Sequence, residues 1–260
     1  MHVSQAASPA HYWSGVTQVE TKVLSHVRIE TLGGFRVLRD NEPVPIAKWP
    51  SRKARDLVKI VICQRGRPVP RETLMYLLWP ATPCRKLGNR FSVALCTARM
   101  ILGQGALITE NDSVRLDPAV VHVDVTAFLR AATAGLRDPR DIESLTVAEA
   151  AYTGDFLEED PYEDWATELR AEARLTYLQV AAALADHCTR AGDHVGASRY
   201  CLRILERDRY DEAAHLTLVR ALVAVGSHGE ARRRYGTYVS RMQEIDVEPV
   251  PWLSRGPSRA

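Results

Sequence analysis

The polar residues between Cys84 and Gly103, in the string CRKLGNRFSVALCTARMILG, are of the kinds that bind nucleic acid. Lysine and arginine neutralise phosphate. Arginine also grips guanine, and asparagine adenine, through paired hydrogen bonds, and a small apolar group fits the thymine methyl. No acidic residue occurs in the stretch. Phe91, Leu95, Ala98 and Leu102 recur at helical spacing and form one apolar stripe. With that stripe turned inward, Arg85, Lys86, Asn89, Arg90, Val93, Thr97 and Met100 project outward, and Ser92 and Arg99 lie on the flank. Such a helix can enter a DNA groove. The same pattern also suits an ordinary solvated surface helix, so the neighbouring elements must decide.

Residues 1–26 are polar and aperiodic and are expected to form a flexible tail. From Val27 the chain alternates in strand fashion through Val27, Ile29 and Thr31, then Phe35 and Val37, with turns at Gly33-Gly34 and Asp40-Asn41. This predicts a small antiparallel sheet. Ser51 is a candidate N-cap for a helix whose inner face is Ala54, Leu57, Val58 and Val61. Arg52, Lys53 and Arg55 stand at its start, where they and the helix N-terminus can clamp a phosphate. A shorter helix opens at Arg71-Glu72, with Leu74, Leu77, Leu78 and Trp79 as its apolar set. Pro80 and Pro83 separate it from the basic helix. Beyond Gly103, residues 106–109 (ALIT) and 114–116 (VRL) flank the turn-rich Glu110-Asn111-Asp112-Ser113. That is a hairpin signal, and Arg115 is its cation. Strands, three helices and a hairpin, over residues 27–123, are the layout of a winged helix-turn-helix.

Residues 124–246 read as helical throughout. Segments Asp124 to Ala134 and Ile142 to Tyr152 flank a connection at residues 137–140. After the loop GDFLEEDPYEDW comes a long helix from Tyr162 to Ala191, then helices Val195 to Arg207, Asp211 to Gly226 and His228 to Ile245. Gly192 and Gly226 are 34 residues apart, the tetratricopeptide period. The fold class expected is therefore α+β, a winged helix-turn-helix domain followed by an all-α tetratricopeptide-like repeat domain. The Pro-rich residues 247–260 are expected to be a flexible tail.

Charge is segregated along the chain. Residues 48–103 carry 12 Lys and Arg against 2 acidic residues, and residues 104–188 carry 6 against 17. A basic segment followed by an acidic one suggests a polyanion-binding module joined to a different one. The 5 cysteines are widely spaced and fit neither a disulfide framework nor a paired-cysteine zinc site. Adjacent His187 and Cys188 sit among core-like helix residues, which argues against a nucleophilic pair. The cluster Glu158, Glu159, Asp160, Glu163 and Asp164 lacks calcium-loop spacing and reads as a solvated loop and helix start. Nothing calls for a cofactor, a metal or a catalytic residue. The N-terminus lacks a secretory signal pattern, and no apolar run is long enough to span a membrane. A cytoplasmic, nucleoid-associated protein is expected.

Longer strings carry a family resemblance. They are TLGGFRVLRDNEPVPI, WPSRKARDLVKI, GRPVPRETLMYLLWP and LGNRFSVALCTARMILG in the first half, and YTGDFLEEDPYEDW, ERDRYDEAAHLTLVRAL and GEARRRYGTYVSRM in the second. Over residues 27–252 the chain resembles the Streptomyces antibiotic regulatory proteins and their actinobacterial relatives. The resemblance implies an OmpR-type winged helix followed by a bacterial transcriptional activation domain. It implies an activator that binds direct repeats in double-stranded promoter DNA as a side-by-side pair and that contacts RNA polymerase holoenzyme; the helical domain is expected to mediate self-association as a homodimer on DNA. The family's recognition helix matches Arg85 to Leu102, with Asn89 and Arg99 where the family has Asn and a basic residue. Thr97 stands where many OmpR-type helices carry Arg, and the hairpin turn is acidic. The ATPase module of some relatives has no counterpart, since no phosphate-binding Gly-x-x-x-x-Gly-Lys-Ser/Thr occurs. Two other functions use the same features: a helical-repeat protein that binds a protein or RNA partner without promoter specificity, and a repressor with the same DNA contacts.

Overall fold

A computed structural model describes residues 27–138 and 140–252. The expected N-terminal tail, Pro139 in the expected connection, and residues 253–260 of the expected C-terminal tail lie outside the described residues. Strands β1 (Val27–Glu30), β2 (Arg36–Arg39) and β3 (Glu42–Pro43) form an antiparallel meander. Asp40 and Asn41 both take positive φ, 52° and 66°, as a two-residue hairpin turn demands. Helices α1 (Arg52–Cys63), α2 (Arg71–Leu78) and α3 (Gly88–Leu102) follow, with the two-residue β4 (Val69–Pro70) between the first pair. Strands β5 (Leu107–Glu110) and β6 (Ser113–Leu116) make the hairpin, whose turn is only Asn111-Asp112, at φ 48° and 55°. β4 extends it to a three-stranded sheet in the order β4-β6-β5.

The first sheet is not purely antiparallel. β7 (Val121–Val123) pairs with β1 in parallel and gives the order β3-β2-β1-β7. Three residues at the end of an irregular connection carry too little periodicity to announce a strand; the partner supplies the signal. β7 runs directly into α4 (Asp124–Arg137), which leads to α5 (Ile142–Ala151), α6 (Asp164–Arg190), α7 (His194–Arg207), α8 (Glu212–Ala224) and α9 (His228–Glu244). Asp141, Asp193 and Asp211 cap the helices that follow them, accepting from the backbone N–H of Ser144, Gly196 and Ala214.

The two halves are not beads on a string. One continuous hydrophobic cluster runs from Val27 and Ile29 through Leu57, Phe91 and Phe128 to Tyr177 and Leu218. A smaller cluster of Leu216, Tyr238 and Met242 lies at the far end. The segment expected as a solvated loop, around GDFLEED, in fact docks on the β1–β2 turn. Gly33 N donates to Asp155 O at 2.9 Å, Leu157 N to Thr31 O at 2.8 Å, and Thr153 Oγ1 to Leu32 O at 2.7 Å. Gly154 is buried against Gly33, and a Cβ there would lie 2.6 Å from Gly33 Cα and 2.7 Å from Glu158 Oε1. Gly154→Ala is therefore expected to cost about 1–3 kcal/mol through overpacking. A urea unfolding midpoint equal to that of the parent chain would refute this.

The expectation of a loose end beyond Val247 is corrected for Val247–Trp252. Val250 N donates to Tyr238 Oη at 2.7 Å, and Tyr235 Oη donates to Val250 O at 2.9 Å. Trp252 packs edge-on against Tyr235, with Arg232 over its ring at 4.0 Å. Two tyrosines and a tryptophan give this short segment enough apolar contact to hold to α9 despite its prolines.

Candidate nucleic-acid interface

α3 is set by its neighbours on three sides. Phe91, Ala94, Leu95, Ala98, Ile101 and Leu102 are buried in the common core. The helix ends where Gly103, at φ 91°, turns its N–H back to Arg99 O at 2.8 Å; a residue with a Cβ would be strained there. Arg71, from the first turn of α2, lies over the Phe91 ring at 4.9 Å and donates to Gly88 O and Ser92 Oγ, both at 3.2 Å. Arg99 donates to Leu107 O and Thr109 Oγ1 in β5, at 3.4 and 2.5 Å. Arg71 N donates to Asp112 O in the hairpin turn at 2.8 Å. Helix, hairpin and α2 thus form one braced unit.

The predicted contact residues divide on this frame. Asn89, Arg90, Ser92 and Val93 are exposed on the first turns of α3, and Asn89, Arg90 and Val93 line a cleft with Lys53 of α1. Arg85 and Lys86 are exposed too, but they stand on a separate 3-10 turn, Cys84–Lys86, rather than on the helix. Leu87, fully buried, breaks the phase between the two. Arg85, Lys86 and Arg90, like Arg55 of α1, have no ion-pair or hydrogen-bond partner among the described residues. The Ser92 hydroxyl is occupied, donating to Gly88 O at 2.9 Å. Arg99 is tied to β5, and Arg115 is half-buried 3.9 Å from Glu110.

Thr97 requires correction. It was expected on the outward side, yet it is only 8% exposed. The buried arc of α3 is wider than the four-residue stripe suggested, because Ala94 and Ile101 belong to it, and Thr97 lies next to Ile101 on the helical wheel. It is out of reach of a groove.

Arg52 and Lys53 are also less available than their position in the sequence implied. Arg52 lies 3.8 Å from Asp56, 3.6 Å from Asp160 and 3.4 Å from Glu163, and Lys53 lies 3.7 Å from Asp56. Farther along α1, Lys59 Nζ donates to Glu159 Oε1 at 2.7 Å and to Asp160, and it sits 4.8 Å from the centre of the Phe35 ring. Arg65 pairs with Glu172 of α6. Part of the charge segregation is therefore internal: one basic face of α1 meets the acidic segment of the helical half. Asp160, expected as a solvated carboxylate, is buried in that contact. Burial holds the Asp56 carboxyl above the ordinary range, against the lowering effect of Lys53, Arg52 and Lys59. Lys59 and Arg71 escaped sequence reading because each does its work through a partner remote in the chain.

Nucleophilic chemistry finds no support in the cysteines. Burial pushes the Cys63 and Cys201 thiols up to about 12 and raises Cys188, so these three are not ready thiolates. Among the described residues no group of three or more His, Cys, Asp or Glu is placed to hold a metal ion. None of the described helices is long and apolar enough to cross a membrane.

Comparison with protein families decides what the chain is. Residues 123–256 match the bacterial transcriptional activator domain. The chain belongs to that family. This activator-domain protein is a transcription regulator and not an enzyme, of the kind its motifs resembled, the Streptomyces antibiotic regulatory proteins. Its matched region begins at Val123, where β7 passes into α4. A solved structure of Mycobacterium tuberculosis EmbR, in complex with a low-affinity phosphopeptide, is similar in fold. The TM-score is 0.68 at 19% identity, covering 87% of this activator-domain protein and 62% of that chain. The activator-domain protein thus spans less than two thirds of the EmbR chain. Comparison with curated proteins gives no significant match.

Proposed function

We propose that residues 27–123 are an OmpR-type winged helix that binds double-stranded promoter DNA with α3 in the major groove. Residues 124–246 are, in the same proposal, a tetratricopeptide-like domain that pairs two copies on direct repeats and contacts RNA polymerase holoenzyme. On this reading the protein is cytoplasmic and activates transcription at the promoters it binds. One observation carries it. The unpaired cations Arg85, Lys86 and Arg90 stand beside Asn89 at the exposed N-terminal end of a helix that is braced by α2 and followed by a hairpin. Cations without internal partners have no ion pair to break before they meet phosphate, and release of counterions from DNA then supplies affinity. Arg55 and Lys53 are assigned to the flanking backbone, and Arg52 only if it leaves its carboxylate partners. The acidic turn Asn111-Asp112, held by Arg71, offers no cation to the minor groove, so pairing of copies has to add affinity.

A gel-shift series with promoter fragments tests this at 50 and 200 mM salt. Affinity is expected to fall by at least tenfold across that range, and each of Arg85→Ala, Lys86→Ala and Arg90→Ala to weaken binding and flatten the logarithmic salt slope by about one. Affinity indifferent to salt, or a triple variant that binds like the parent, would sink the DNA reading. Sedimentation of the same complex is expected to show two chains per repeat pair. A single chain there would remove pairing from the proposal.

A further inference from the structure

The outward face of α3 is short of free hydrogen-bonding groups beyond its first turn. Asn89 and Arg90 occupy that turn. Farther along, Ser92 and Arg99 are engaged within the protein, and what remains on the face is Val93, Cys96 and Met100, apolar but for an exposed thiol that donates only weakly. Val93 is 64% exposed and Met100 63% exposed. Seven residues apart, they are aligned on one side of the helix and separated by about 10 Å along its axis. That length is comparable with three base-pair steps of about 3.4 Å. Val93 shares its cleft with Lys53, Asn89 and Arg90. Met100 lines a second cleft of mixed charge with Arg39, Asp40, Glu42 and Lys48.

Resting on the DNA reading above, we infer that Val93 and Met100 are specificity residues that read thymine methyl groups, with Asn89 on an adenine. The thymine C5-methyl is the apolar group among those by which base pairs are told apart in the major groove. An exposed valine and methionine therefore have one complement there, and cations at the N-terminal end of the helix bring them to it. An apolar protein partner would suit the two side chains equally well, but it would not suit the unpaired Arg85, Lys86 and Arg90 beside them. The preferred site is accordingly rich in A·T pairs beneath the centre of α3, with two methyl-sensitive thymines about three base pairs apart.

The test begins with selection of a bound duplex from a randomised library by the full chain. Each thymine of the selected site is then replaced by deoxyuridine, which removes only the methyl. Two replacements are expected to weaken binding about three- to fourfold, the worth of one buried methyl. Val93→Ala is expected to bind the parent duplex and one deoxyuridine duplex equally, and Met100→Ala to do so at the other position. Salt-dependent binding that ignores every deoxyuridine, or methyl sensitivity that persists in both variants, overturns this inference and leaves the DNA reading standing. Failure to enrich any duplex overturns both.

Discussion

Lys59→Met is expected to destabilise the protein by about 3–5 kcal/mol, the usual consequence of removing one partner from a buried ion pair. Lys59 is 3% exposed, and its ammonium donates to Glu159 and to the buried Asp160. The ammonium is also near the Phe35 ring, so it serves both halves of the molecule at once. Methionine matches its length and keeps the apolar contact with Phe35. It leaves the Asp160 carboxylate buried with only Arg52, 3.6 Å away, for compensation. The cost lies in that stranded charge. Combining Lys59→Met with Asp160→Asn should then recover more than half of the loss. Urea midpoints of the two variants measure it. A loss below about 1 kcal/mol, or a double variant no better than the single, would mean that the pair is not what holds α1 to the helical half.

Asp124→Ala is expected to cost a similar amount, about 3–5 kcal/mol, for a different reason. Thr31 and Leu32 lie just past the end of β1, buried, where the ladder no longer supplies acceptors for their N–H groups. The Asp124 carboxylate supplies them: it accepts from Thr31 N at 2.7 Å, Leu32 N at 2.9 Å and Thr31 Oγ1 at 2.5 Å. Alanine would leave two buried backbone donors and a hydroxyl unsatisfied, and each such group costs about 1–3 kcal/mol. Asp124→Asn keeps one acceptor oxygen and should lose less than half as much. The N-terminal position of Asp124 in α4 adds a smaller favourable interaction with the helix dipole. Denaturation midpoints that rank Asn with Ala, or show neither destabilised, would contradict this account.

Both predictions concern the junction between the halves, and the junction is where sequence reading reached its limit. The order of strands, three helices, hairpin and helical array was legible from residue 27 onward. Each element advertises itself locally: by alternation in β1, by the inner face of α1, by Asn111-Asp112 in the hairpin, by Gly192 and Gly226 at the corners of the array. Helix ends came within a few residues because their caps are short-range events. Most of the outward face of α3 was legible for the same reason, since Asn89, Arg90 and Val93 follow from helical phase. Thr97 did not, because the width of a buried arc depends on what packs against it. Arg85 and Lys86 stand off the helix because helical phase does not carry through Leu87, where the chain turns.

The residues thus determine by themselves which segments are helix or strand, where most of the outward face of α3 lies, and to which family of regulators the chain belongs. All three rest on interactions spanning a few positions, or on strings long enough to be specific. The tertiary structure decided which cations remain free. Lys59, Arg65 and Arg52 look the same in the sequence as Arg85, Lys86 and Arg90. Only the first three meet carboxylates 100 to 111 residues further along the chain, and a charge already neutralised inside the fold is not available to DNA. It also decided that β7 joins β1, that the GDFLEED segment is a joint rather than a loop, and that Trp252 holds the C-terminal segment to α9. A hydrogen bond or an ion pair between remote residues leaves no period in either, so it becomes visible only when the chain has brought them together.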